Sequence, residues 1–90
     1  MADVLLLEVA TPERLVARER VREAQIPCRN GYIGVLPGHA ALLSELGEGR
    51  LSYTGEQGAR AFRVAGGWVE VLEDHIRVLA DQAEEAEASP

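Results

Sequence analysis

Gly66-Gly67-Trp68-Val69-Glu70-Val71-Leu72-Glu73-Asp74-His75-Ile76-Arg77-Val78-Leu79-Ala80 carries the clearest structural signal in the chain. Apolar residues recur at every second position: Val69 and Val71 point one way, and Trp68, Glu70 and Leu72 the other. Asp74 and His75 make a tight reversal, after which Ile76, Val78 and Ala80 alternate with Arg77 and Leu79. That is the pattern of two strands joined by a short turn. The leading Gly66-Gly67 pair reads as a bend or bulge, because a backbone without Cβ lets neighbouring strands pass closely.

The same period continues on either side. Leu51 and Tyr53 share a face, Glu56-Gln57-Gly58 turns, and Phe62 and Val64 share the next face. Upstream, Asn30-Gly31 is a strong turn signal leading to Ile33 and Val35, and then to a Pro37-Gly38 corner. Ala40 to Leu46 is flanked by glycines and too short for a stable helix, so it reads as a short strand or irregular segment. Pro27 interrupts Ile26–Cys28 and disfavours a central strand there. In Leu15–Arg22, Val16, Arg18, Arg20 and Arg22 face one way and Leu15, Ala17, Glu19 and Val21 the other, which suits an edge strand or one covered by a partner. Val4 to Val9 has strand length and ends at Thr11-Pro12. The expectation is an all-β chain, an antiparallel β-sandwich or flattened barrel of about ten short strands. Residues 1–81 form that domain, and the acidic residues 82–90 are expected to be a disordered tail.

Bulk composition removes several classes of function. Ninety residues make one domain. A net charge of −6, with pI near 4.8, argues against a nucleic-acid partner, because nothing supplies a positive face. All nine basic residues are arginine. No apolar run reaches the roughly 18–20 residues of a membrane span, and Met1-Ala2-Asp3 shows no secretory signal, so neither membrane insertion nor secretion is expected. Cys28 is the single cysteine, which excludes an intrachain disulfide and a thiolate zinc site.

Reactive constellations are sparse. His39, Glu45 and His75 make up a two-histidine, one-carboxylate metal set of the kind a small cupin-like enzyme uses. That motif wants a second histidine two positions after the first, where Ala41 stands. Glu70, Glu73 and Asp74 are split between opposite faces and a turn, and the glycine-rich segments lack the following Lys-Ser/Thr of a phosphate loop. No catalytic residue, cofactor or metal is therefore assigned. Trp68 is expected under the rim of the opposing sheet; exposed, it would form an apolar docking patch with Leu72. Arg18, Arg20 and Arg22 pair with neighbouring glutamates or meet an acidic partner.

Gly34-x-x-Pro37-Gly38-His39-Ala40-x-Leu42-Leu43-Ser44, then Gly66-Gly67-Trp68-Val69-Glu70-Val71, then Ile76-Arg77-Val78-Leu79-Ala80-Asp81, resemble in that order the amino-terminal domain of the F-type ATP synthase epsilon subunit. The resemblance runs from about Val4 to Asp81. It implies a non-catalytic rotor subunit in the central stalk, gripping the gamma subunit and resting on the ring of c subunits. It also implies a place on the cytoplasmic face of the bacterial inner membrane. Carried over by position, Gly31, Tyr32, Gly38, His39 and Ala40 lie near the ring and the gamma base, and Thr11 and Ser44 near the same partners. The family often has an acidic residue where Tyr32 stands, so the charge pairing with the ring that the family shows does not carry over directly, and an aromatic ring there could stack on an arginine instead. Its carboxy-terminal helical hairpin has no counterpart among these residues, and the hairpin's inhibitory and ATP-binding activities are not assigned to them.

Overall fold

The computed structural model describes residues 3–87. Among them are seven strands: β1 Leu5–Ala10, β2 Leu15–Cys28, β3 Gly31–Val35, β4 Leu42–Glu45, β5 Glu48–Gly55, β6 Gly58–Leu72 and β7 His75–Ala86. Hydrogen bonds link them in the order β1-β7-β6-β5-β2-β3, with β4 on β6 and a β1–β2 pairing that closes the ring. The chain is all-β, a flattened barrel as expected, but with fewer and longer strands. β2 pairs with β1 over its first half and with β5 and β3 over its second, while β6 pairs with β5 before its glycines and β4 after them. Each long strand thus serves as two of the short ones that the sequence pattern delimits. All pairings are antiparallel except β1–β7.

The change of neighbours in β6 happens at Gly66 and Gly67, both in the left-handed region at φ 72 and 115. Phe62 and Val64 are buried before this point and Val69 and Val71 after it, so the inward set changes from even to odd positions. Pairing with β7 does not slip, since Ala65 faces Gln82 and Gly67 faces Ala80 in one register. The feature is a bend with no inserted residue. Only glycine fits: a Cβ on Gly67 would lie 1.9 Å from the Leu79 carbonyl oxygen. The β4–β5 corner closes onto the same spot, with Leu46 N–H donating to Gly67 C=O at 2.9 Å.

Three other sequence readings change. β7 runs on through Gln82–Ala86, paired with Ala61–Ala65, where a disordered tail was expected from residue 82. Ala83 packs against the core there, and Glu85 receives a 2.9 Å bond from Arg60. Residues 88–90 of that expected tail, and Met1-Ala2, lie outside the described residues. Pro27 sits inside β2 without breaking it, because β5 has already left β2 at the Gln25–Ser52 pair. Its carbonyl accepts from Gly47 N–H at 2.8 Å, so the side lacking an N–H faces the β4–β5 corner rather than β3. The β6–β7 reversal uses Glu73 and Asp74, at φ 50 and 62, and His75 is already the first residue of β7.

The core joins both halves. Leu5, Leu7 and Val9 of β1, Ile76 and Val78 of β7 and Val69 of β6 are wholly inaccessible. Each such side chain contributes about 1.5–3 kcal/mol of burial. Cys28 is buried and free. At the far end of the core Tyr53 stacks on Phe62 with ring centroids 6.4 Å apart. The Tyr53 hydroxyl donates to Glu19 at 2.5 Å, and Arg60 clamps the same carboxylate oxygen at 2.5 Å. Burial, then the bond to Glu19, pushes the Tyr53 phenol well above its ordinary value.

Gly67→Ala should cost about 3 kcal/mol or more, or prevent folding, since strain and a backbone collision coincide. Gly58→Ala, at a site with open space around the new Cβ, should cost only the backbone strain, about 1 kcal/mol by urea denaturation. The raised Tyr53 phenol keeps its proton in the native state while the unfolded chain loses it. The contribution of Tyr53 to stability is therefore full below pH ~10 and is lost as pH rises beyond it. Tyr53→Phe should flatten that alkaline limb in thermal melts across pH 9–12.

Candidate protein interface

β4, β6, β7, β1 and the first half of β2 lie side by side, and their outward residues form three rows across the sheet. One row is Glu45, Trp68, Leu79 and Ala10. The next is Leu43, Glu70, Arg77, Glu8 and Arg18. The third is Leu72, His75, Leu6 and Arg20. Trp68 is 49% exposed, Leu72 49%, Leu79 51% and Leu43 69%, an apolar set interleaved with the charged residues of this face. Trp68 is thus not covered by the opposing sheet. The Gly66-Gly67 bend assigns the core positions to Val69 and Val71, which leaves Trp68 outward, and β4 joins β6 edge to edge rather than over it.

The middle row is held electrostatically by Glu8. Its Oε1 meets His75 Nε2 at 2.6 Å, and its Oε2 accepts from Arg18 Nε at 3.1 Å. Arg77 stands 3.8 Å from Glu8 and also 3.8 Å from Glu70. The hydrogen bond from His75 lowers the Glu8 carboxyl, against an opposing desolvation; Arg18 lowers it further. Arg18, the first residue of the arginine stripe, is therefore paired with a glutamate, one of the two readings its spacing allowed.

A groove of about 560 Å³ borders the apolar row, lined among others by Thr11, Pro12, Glu45, Trp68, Leu79 and Asp81. Thr11 closes the β1–β2 turn, its N–H donating to Arg14 C=O at 2.9 Å and its hydroxyl accepting from Arg14 N–H at 3.4 Å. Ser44 lines a neighbouring cleft with Trp68, Arg29 and Asn30, although its hydroxyl is half-buried and turned to the Glu45 carbonyl at 3.4 Å. Gly31 starts β3 just after that Arg29-Asn30 turn, which is fastened to β4 by Arg29 N–H to Glu45 C=O at 3.0 Å. Gly38, His39 and Ala40 lie at the opposite end of β4, beside the β6–β7 turn.

Tyr32 is 58% exposed, yet it does not project freely. Its hydroxyl accepts from Arg50 N–H at 2.9 Å, and the ring lies over Gly49, where a Cβ would come 2.5 Å from that oxygen.

His39, Glu45 and His75 do not converge. His39 Nδ1 contacts its neighbour Ala40 C=O at 2.7 Å, Glu45 takes Arg29 at 2.6 Å, and His75 is engaged by Glu8. Among the described residues no three His, Cys, Asp or Glu side chains are grouped to hold a metal. The cupin-like alternative therefore loses its ligand set. The exposed Leu79 and Leu43 were not among the site candidates, although Leu79 alternates with buried positions and its outward place was readable from the pattern.

The family described as "ATP synthase, Delta/Epsilon chain, beta-sandwich domain" matches residues 4–86. The chain is 60% identical over 87 residues to the ATP synthase epsilon chain of Solibacter usitatus, and 44% identical over 87 residues to that of Koribacter versatilis. Those alignments take in 97% of this chain but 65% and 61% of the two relatives. In fold it is similar to a chain in the cryo-EM structure of the Euglena gracilis mitochondrial ATP synthase OSCP/F1/c-ring, with TM-score 0.86 and 22% identity, covering 94% of this chain and 55% of that one.

Because the folded state depresses the Glu8 carboxyl, its contribution is present above the unfolded value near 4.5 and is lost as pH falls through the lower folded value. Melting temperature should drop on acidification below pH ~4.5, and Glu8→Gln should reduce that slope while lowering the melting temperature at neutral pH.

Proposed function

Since the chain belongs to the ATP synthase delta/epsilon β-sandwich family, we propose that it acts as a non-catalytic central-stalk subunit of a proton- or sodium-driven F-type ATP synthase. It binds the gamma subunit and the ring of c subunits, and so helps couple ion flow to ATP synthesis. The observation that carries this reading is the outward row of Trp68 and Leu79, an apolar patch beside a groove and framed by fixed charges. Large aromatic and aliphatic anchors inside a polar rim are what a durable protein contact uses. Gamma docks on this face, with Thr11 at the groove wall and Ser44 in the adjoining cleft. Gly31-Tyr32 and the Gly38-His39-Ala40 loop serve the contacts with the ring and the base of gamma.

The fold suits a coupling element. A sheet closed on itself transmits force with little internal give, since each strand of the ring is bonded on both sides. No helix of the described residues is long and apolar enough to cross a membrane. The chain reaches the membrane through its partners, on the cytoplasmic face of the bacterial inner membrane.

Co-expression with the gamma subunit from the same source should yield a one-to-one complex on size-exclusion chromatography. Trp68→Ala should weaken that complex by about 2 kcal/mol, roughly 30-fold in Kd, while changing unfolding stability far less. Separate elution of the two wild-type chains at micromolar concentration would overturn the reading.

A further inference from the structure

The loop between β3 and β4 is a tight turn with an unspent donor. His39 N–H closes it onto Leu36 C=O at 3.0 Å, with Pro37 second and Gly38 third at φ 87. That is the type II arrangement, which uses the first carbonyl and the fourth N–H and leaves the N–H of the third residue free. Here the Gly38 N–H donates to Asp74 Oδ1 at 2.7 Å. Asp74 belongs to a different part of the chain, the β6–β7 turn, where its own φ is 62. Its carbonyl also accepts from Leu6 N–H, at 2.9 Å, beside the start of β1. One residue therefore ties three segments together at this end of the barrel. Among the described residues, no other hydrogen bond outside the strand ladders joins residues 37–41 to the body.

We propose that Asp74 is the positioning residue that fixes the Gly38-His39-Ala40 loop in its binding geometry, an inference that rests on the functional reading above. A loop held by one charge-assisted bond is pre-organised, so the partner need not pay for ordering it. Asp74 itself touches no partner in this scheme; it acts through Gly38.

Two substitutions separate the bond from the turn. Asp74→Gly keeps a residue at home at positive φ and deletes the acceptor, whereas Asp74→Asn keeps both a side-chain oxygen and tolerance of that conformation. In the isotope-labelled full chain, Asp74→Gly should speed Gly38 amide exchange about tenfold or more, and Asp74→Asn should restore protection. Titrated against a purified subcomplex of gamma and the c ring, Asp74→Gly should raise Kd about tenfold and Asp74→Asn stay within about threefold of wild type. Thermal melts of both variants report whether the turn itself survives. Unchanged Gly38 exchange in Asp74→Gly would overturn the inference, as would a freed Gly38 amide with unaltered affinity. Failure of the wild-type chain to bind the subcomplex would instead overturn the functional reading, and the exchange data would still show whether Asp74 holds the loop.

Discussion

Where β6 passes Leu79, two main chains approach so closely that any side chain on Gly67 would strike a carbonyl oxygen. The rest of the barrel depends on that contact. It lets β6 and β7 bend together without losing register, so one hairpin contributes to both halves of the fold. Phe62 and Val64 enter the core on one side of the bend and Val69 and Val71 on the other. The β4–β5 corner is fastened to the same glycine, through Leu46 N–H. Together with β2, β6 is one of the two long strands that carry the core from one half to the other, and without the close approach β6 could not make its bend.

The bend also creates the apolar face proposed above as the docking surface. By reassigning which positions face inward, it places Trp68 outside beside Leu79, on a sheet whose next row is a chain of alternating charges. Those charges are not free to follow a visiting partner. Glu8 is engaged by His75 and Arg18, and Arg77 stands between Glu8 and Glu70. An apolar patch next to a pre-paired charge row offers shape and desolvation more than long-range attraction. At the opposite end of the barrel Asp74 ties the β3–β4 turn to the β6–β7 turn, so the two ends are held by different devices.

Much of this was legible from the residues alone. The period-2 pattern of Leu51–Ala80 predicted the β5, β6 and β7 strands, because burial of one sheet face imposes that alternation whatever the partner strand. Pro37-Gly38 predicted a corner, and the structure has a turn there whose positive φ needs glycine. The ordered glycine, proline and histidine features pointed to a family that the match over residues 4–86 bears out. Less legible were features set by what lies across the sheet. Pro27 looked like a strand breaker, yet it sits where β5 has departed and no ladder bond is missed. Gln82–Ala86 looked like an acidic tail, yet Ala61–Ala65 offers it a backbone edge and Arg60 a counter-charge.

The local pattern was enough for strand identity, turn chemistry and the family, since each arises from steric preferences within a few neighbouring residues. Strand count, the parallel β1–β7 pair, the exposure of Trp68 and the separation of His39, Glu45 and His75 were settled only by folding. Those depend on contacts between segments tens of residues apart, and alternation along one strand carries no record of which neighbour lies beside it.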